Sequence, residues 1–226
     1  MTFVLNVLHS DYSLLAADKQ AKLVGAATIT AGDITIHAKD GGTVEGYHKM
    51  KVSRCGAVAI GVAGSVREHG YFEHFEENEG VDSSIKTILD SVLDFFLSPN
   101  RKENLSKPDM MRNEGIATFF DISSSEYFSL LYIYTHSRTI YGWWKVANGG
   151  ARLLHVGTGS SEFEKTIGLE EINRFISSIR NNPDPSVCIE WIKGAFEKVS
   201  LAAKGVGREP EFLLSTRSEP NFRIFE

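Results

Sequence analysis

Residues 2–18 read TFVLNVLHSDYSLLAAD, and the fold prediction starts from this stretch. Two apolar runs of strand length, residues 3–8 and 12–17, flank a His-Ser-Asp sequence that is typical of a turn. The chain is therefore predicted to begin with a β-hairpin. Thr2 stands directly before the first strand, and Asp18 directly follows the second.

Beyond this hairpin, strand-like and helix-like patterns alternate along the chain. Strands are predicted at 24–30, 34–38, 43–52 and 57–63, and then at 116–122, 127–135, 139–146 and 152–156. Helices are predicted from Ser65 onward, at 81–97, at 160–181 and at 185–203. A charged, polar loop is predicted at 100–114, and two short strands at 211–215 and 222–225.

This order indicates the fold class. Hairpins dominate, so the sheets should be mostly antiparallel, and each sheet has a face that a helix pair could cover. We therefore predict an α+β fold in which two sheets pack face to face with helices outside, giving four layers. The 226 residues suit a single domain spanning 1–226.

Composition excludes several classes of protein. The net charge of −5 argues against a nucleic-acid partner, because phosphate binding needs a basic surface. The apolar runs are too short to span a bilayer and no signal peptide is evident, so we expect no membrane contact and a cytoplasmic protein. Cys55 and Cys188 match no metal-binding spacing, and His69 and His74 lie five residues apart, a poor spacing for a metal site on a helix. We expect neither a metal nor a cofactor.

Thr2 offers the most specific chemistry in the sequence. Removal of Met1 would give a mature chain of residues 2–226 with threonine at its N-terminus. The hydroxyl of such a threonine is a nucleophile, and its α-amine, with an ordinary pKa of about 7.7–8.0, is a base that can accept the hydroxyl proton.

Four features together resemble a known family. These are the leading Thr2, the Ala-Ala-Asp sequence at 16–18, a lysine followed by an apolar residue at 49–50, and an apolar strand ending in Ala-Gly at 63–64. In this order they resemble the proteasome β-subunit family, including bacterial homologues such as the HslV peptidase. That family belongs to the N-terminal-nucleophile hydrolases, so the resemblance implies a four-layer αββα sandwich.

The resemblance also implies roles for particular residues. Thr2 matches the nucleophile, and Asp18 matches the acidic residue that pairs with the catalytic lysine. Lys49 matches that lysine best, and Lys51 remains a rival because an insertion blurs the match between Asp18 and this point.

Two further segments of the family's site have counterparts here. Gly64 matches the glycine whose N–H forms the oxyanion hole. The sequence Gly-Thr-Gly-Ser at 157–160 matches the family's Gly-Ser-Gly turn, with Thr158 in the place of the serine whose hydroxyl lies near the terminal amine. The resemblance thus implies a catalytic set made of Thr2, Asp18, Lys49, Gly64, Thr158 and Ser160.

One segment departs from the family pattern and keeps other functions open. The family's Arg-Asp-x-x-Ser-Gly segment is replaced by Ser-Leu-Ala-Ala-Lys-Gly at 200–205, without the aspartate that helps to orient the terminal threonine. We expect a threonine-type endopeptidase that forms an acyl-ester intermediate. The alternatives are a catalytically silent assembly subunit, and an amidase or acyl transferase acting on a small substrate.

The resemblance also implies partners. The chain is expected to self-associate into a ring or stacked rings and to act on peptides or unfolded proteins. An ATPase partner is possible in this family, and the sequence does not identify one.

Overall fold

The computed structural model describes residues 2–22, 27–31, 34–38, 43–44, 48–64, 86, 90, 112–135 and 139–225. The strands in chain order are β1 (Val4–His9), β2 (Tyr12–Asp18), β3 (Ala21–Lys22), β4 (Ala27–Ala31), β5 (Ile34–Ala38), β6 (Thr43–Val44), β7 (Met50–Val52), β8 (Val58–Gly64), β9 (Arg112–Asp121), β10 (Glu126–Thr135), β11 (Thr139–Lys145), β12 (Ala151–Val156), β13 (Pro210–Thr216) and β14 (Glu219–Phe225). Three helices are described, namely α1 (Gly159–Ile167), α2 (Leu169–Asn181) and α3 (Pro185–Ala202).

Two five-stranded sheets form the centre of the described structure. The first sheet has the order β12-β1-β2-β13-β14, and the second has the order β11-β10-β9-β8-β7. Every described strand pair is antiparallel. Two small ladders, β3-β6 and β4-β5, complete the strands.

The opening hairpin is confirmed and occupies the middle of the first sheet. β1 pairs with β2 in a register that places Val4 opposite Ala17. All residues of both strands are buried. This explains why apolar residues occupy both faces of each strand, with Asn6 and Ser13 as polar exceptions, because both faces of the sheet are covered.

One face of the first sheet is covered by the helices and the other by the second sheet. Phe3, Leu5 and Val7 belong to a core cluster that includes residues of α1, α2 and α3. Val4, Leu15 and Ala17 belong to a second cluster that includes residues of β7, β8 and β9. Alternate side chains of β1 therefore point to opposite neighbours, as the pleat of a strand requires.

The predicted four-layer αββα sandwich is wrong. The described residues form a mostly antiparallel β structure with two five-stranded sheets, and α1, α2 and α3 all lie between residues 159 and 202. Their buried side chains share one core with the first sheet, so the helices form a layer on one side of the sheet pair. The alternation of strand and helix patterns along the chain did not indicate that these helices share one face.

Smaller corrections concern element boundaries. The helix predicted at 160–181 is broken at Gly168, whose φ of +81° is a conformation that favours glycine and ends α1. The strand predicted at 43–52 is also wrong as one element, since β6 pairs with β3 whereas β7 pairs with β8. β9 begins at Arg112, so the last residues of the predicted loop at 100–114 are part of a strand.

Some predictions fall largely outside the described residues. The predicted helices between 65 and 97 are described only at Lys86 and Asp90, which are helical and form an i,i+4 ion pair. The hairpin predicted near residues 24–38 is confirmed where it is described, because β4 pairs with β5. Within the described ranges, no helix is both long enough and apolar enough to cross a membrane.

Candidate active site

Thr2 is fixed by its neighbour in sequence. The Phe3 ring is buried among the helices, with ring centroids 5.3 Å from Phe163 and 4.8 Å from Phe196. The Phe3 backbone N–H donates to Asp18 Oδ1 at 2.8 Å. Thr2 itself is only 7% exposed. Aromatic packing and a buried hydrogen bond therefore hold the start of the first strand at a defined place.

A turn between β12 and α1 contacts Thr2 on two sides. The backbone nitrogen of Thr2 donates to Thr158 Oγ1 at 3.1 Å. The carbonyl oxygen of Thr2 accepts from the backbone N–H of Gly159 at 3.2 Å. The structure thus brings together Thr2 and Thr158, two members of the predicted catalytic set.

Gly157 allows this turn to approach Thr2 so closely. Its φ is +99°, and a Cβ atom at this position would lie 2.2 Å from the Thr2 carbonyl oxygen and 2.9 Å from Ala63 Cβ. A larger residue would therefore clash with the backbone as well as adopt a strained conformation.

Asp18 contacts Phe3, the residue after Thr2, and is fully buried. Besides the Phe3 N–H, its carboxylate accepts from the backbone N–H groups of Gln20 at 3.3 Å and Gly207 at 3.0 Å. Lys49 Nζ donates to Asp18 Oδ2 at 2.6 Å. Four donors on one carboxylate satisfy the acceptor capacity that a buried charged group requires.

Lys49 forms the cationic half of a buried ion pair. It is 2% exposed and Asp18 is 0% exposed, and Lys49 Nζ also donates to the Gln20 carbonyl oxygen. The backbone carbonyl of Lys49 accepts from Val62 N–H at 2.9 Å, which joins it to β8. The rival lysine, Lys51, is half-buried in β7 opposite Ile60.

The remaining two predicted site residues differ in position. Gly64 is the last residue of β8 and directly follows Ala63, the residue that lies against Gly157. The Ser160 hydroxyl is buried and forms no hydrogen bond within the described part of the chain. The structure therefore does not join Ser160 to Thr2, although it lies in the first turn of α1.

Two polar contacts of the site were missed in the sequence. Gly207 contributes a backbone N–H to Asp18, and backbone donors have no signature in side-chain identity. Glu114 is buried in β9, 5% exposed, and accepts from Gly157 N–H at 2.7 Å. Glu114 lies within the polar run at 100–114 that predicts a loop. The sequence does not reveal that this residue is in a strand, β9, that pairs with β8.

His155 lies on β12, and the Glu114 and Glu164 carboxylates act on its imidazole. Burial lowers its pKa from the ordinary value, against the raising influence of the Glu164 and Glu114 carboxylates. The imidazole is consequently favoured in its neutral form.

An open cavity lies on the segments around Gln20 and Gly207. It has a volume of about 530 Å³ and is lined by Lys19, Gln20, Ser200 and the segment 205–209. Gln20 and Gly207 also contact Asp18. Asp18 and Lys49 themselves do not line the cavity.

Comparisons with known proteins add no assignment. No protein-family model matches the chain. A search of curated proteins likewise found no significant match. The function must therefore be argued from the geometry of the site.

Proposed function

We propose that this chain is a threonine-type endopeptidase, related to the proteasome β-subunits, in which Thr2 is the nucleophile. The observation that supports this most is the 3.1 Å contact of the Thr2 nitrogen with Thr158 Oγ1. A second support is the buried Asp18–Lys49 pair, which the Phe3 N–H connects to the residue directly after Thr2. Burying two charges carries a large desolvation penalty, so stability alone is a weak reason for an ion pair at this position. Perturbed, buried charges are concentrated at functional sites, and this pair is connected to Thr2 through Phe3.

The proposed reaction is acyl transfer. In the chain that begins at Thr2, the nitrogen held by Thr158 is the α-amine, which accepts the proton of the Thr2 hydroxyl as Oγ1 attacks a peptide carbonyl. The amine then protonates the leaving amine, and water hydrolyses the ester in a second step that regenerates the hydroxyl.

Lys49 and Gly64 have electrostatic roles in this proposal. The Lys49 charge, oriented by Asp18, favours the alkoxide that develops on Thr2. The Gly64 N–H would donate to the oxyanion of the tetrahedral intermediate, a contribution that typically amounts to about 10²–10³ in rate.

The family resemblance, rather than the cavity, favours a polypeptide substrate. The proposal includes peptides or unfolded proteins as substrates, assembly into a ring or stacked rings, and a cytoplasmic location.

Substitution of Thr2 tests the proposed function. We expect Thr2→Ala to lower peptide turnover by at least about 10³-fold, because loss of a nucleophile removes the covalent pathway. Thr2→Ser should keep measurable turnover because it retains a hydroxyl. Thr216→Ala, at the far end of β13, removes the hydroxyl of a half-buried threonine and serves as the matched control.

The results distinguish the candidate functions. Unchanged turnover in Thr2→Ala would contradict the assignment of the nucleophile. An assembled wild-type protein without turnover of either peptides or small amides would favour the silent assembly subunit. Turnover of small amides without turnover of peptides would favour the amidase.

A further inference from the structure

Glu114 is a buried acid with no assigned role in the proposed reaction. It lies in β9 opposite Ala63, one residue from the pairing of Asn113 with Gly64. The side chain is 5% exposed. Because burial of a carboxylate is unfavourable unless it is hydrogen-bonded, its presence here requires a compensating interaction.

One such interaction is directed at the turn that contacts Thr2. Glu114 Oε2 accepts the backbone N–H of Gly157 at 2.7 Å, a length typical of a charge-assisted hydrogen bond. The next residue, Thr158, accepts from the Thr2 nitrogen, and Gly159 donates to the Thr2 carbonyl. Glu114 is therefore bonded to the residue that precedes both Thr2 contacts.

The bond also crosses between layers. The turn connects β12 of the first sheet with α1 of the helix layer, whereas Glu114 belongs to the second sheet. Lys49 and Gly64, which would stabilise the alkoxide and the oxyanion, are attached to the second sheet through β7 and β8. Glu114 thus links the layer that holds the charge-stabilising groups to the turn that holds the nucleophile.

We propose that Glu114 is a positioning residue that fixes the 157–159 turn, and through Thr158 fixes the Thr2 amine relative to Lys49 and Gly64. This inference rests on the proposed role of Thr2 as the nucleophile. The reason for such a residue is geometric, since a displacement of about 1 Å in a reacting group can cost about 10²-fold in rate.

The test measures the rate at which Thr2 is acylated. Wild-type protein and variants are treated with a β-lactone directed at N-terminal threonine, and the intact mass gives the second-order rate constant. We expect Glu114→Ala to react about 10²-fold more slowly. Glu114→Gln keeps the shape and an acceptor oxygen and should lose less than about tenfold. Glu114→Asp keeps the charge but withdraws it by one methylene, and should react more slowly than Glu114→Gln.

Thr118→Val is the matched control. Thr118 is fully buried in the same strand, but its hydroxyl bonds Ser13 of the first sheet and Ser129 of the neighbouring strand β10. The valine should lower the thermal midpoint of unfolding and leave the acylation rate unchanged. If Glu114→Ala does not fold, the proposal is tested by whether Glu114→Gln is acylated faster than Glu114→Asp.

The outcomes separate the two proposals. A wild-type protein that forms no adduct on Thr2 would overturn the proposed function and this inference with it. A reactive wild type with an equally reactive Glu114→Ala would overturn the inference alone. Equal slowing by Glu114→Ala and Thr118→Val, or a faster Asp than Gln variant, would also overturn the inference.

Discussion

The inter-sheet region near β1 is charged at one end and neutral in the middle. Among the described residues, the buried Asp, Glu and Lys side chains are Asp18, Lys49 and Glu114, and all three lie at the end where Thr2 is held. We call this the site end.

The middle of the same interface is polar without charge. Asn6 Nδ2 donates to Ser13 Oγ at 2.9 Å, Ser129 Oγ donates to Asn6 Oδ1 at 2.7 Å, and Ser13 Oγ lies 2.8 Å from Thr118 Oγ1. We call these four residues the neutral network. It joins the first sheet to the second with uncharged groups that satisfy one another, which fixes register at low cost.

This difference indicates two roles for buried polar groups, namely alignment of the sheets by neutral groups and a site-related role of the charged groups. A neutral network is sufficient to align two sheets, so alignment alone does not explain three buried charges at the site end. Buried charges are concentrated where chemistry requires them, because each must be offset by several hydrogen bonds. The comparison therefore predicts that the two regions respond differently to substitution.

The largest effect is expected at the site end. Lys49→Met leaves the Asp18 carboxylate buried without its cation and should lower the free energy of unfolding by about 3–5 kcal/mol, as well as abolish turnover. Lys51→Met, two residues away in β7, is the control and should cost less than about 1 kcal/mol. Urea unfolding of both variants provides the measurement. Equal losses of free energy of unfolding in the two variants would show that the Asp18–Lys49 pair contributes no more to stability than the half-buried Lys51 does.

A smaller effect is expected in the neutral network. Thr118→Val removes a hydroxyl that contacts Ser13, Ser129 and the Phe128 carbonyl. The expected loss is about 1–3 kcal/mol in the free energy of unfolding, the range for buried hydrogen-bonding groups left without a partner, with kcat/KM unchanged. A large fall in kcat/KM at equal folded fraction would show that the network acts on the site.

The smallest effect is expected at the far end of β1. His9 is 1% exposed, and burial lowers its pKa from the ordinary 6.5 more than the neighbouring Asp11 raises it. The unfolded chain therefore binds a proton more readily than the folded one, so stability falls as the pH drops through and below 6.5. The linkage relation gives at most about 0.7 kcal/mol from this residue between pH 7 and pH 6.

His9→Asn isolates that contribution. The variant should be less stable at pH 7, because His9 packs on Tyr12 with ring centroids 4.8 Å apart. Its free energy of unfolding should nevertheless depend less on pH between 7 and 6 than that of the wild type. Denaturant titrations at the two pH values test this. The same change in the free energy of unfolding between pH 7 and pH 6 in both proteins would contradict it.

The sequence predicts local structure better than the arrangement of layers. The hairpin of β1 and β2 follows from two apolar runs around a polar turn, since both strands are buried on both faces. The four-layer sandwich is wrong because hydrophobic periodicity identifies a helix but does not say which sheet it covers. The break at Gly168 depends on one positive φ, which an isolated glycine in a helical pattern only suggests.

The site shows the same limit. The contact of Asp18 with Lys49 spans 31 residues, and its prediction depends on the family resemblance rather than on any local pattern. Gly207 and Glu114 could not be found in this way, because the first acts through its backbone and the second lies in a polar run that resembles a loop. Both become visible only when the strand register is known.

The central claim is that Thr2 is a primed N-terminal nucleophile, and the intact mass of the purified protein tests it most directly. The mass is measured before and after treatment with the β-lactone, and the labelled site is located in the N-terminal peptide. We expect a chain lacking Met1 that gains a single adduct on Thr2. Retention of Met1, or a free Thr2 that stays unlabelled, would contradict the account.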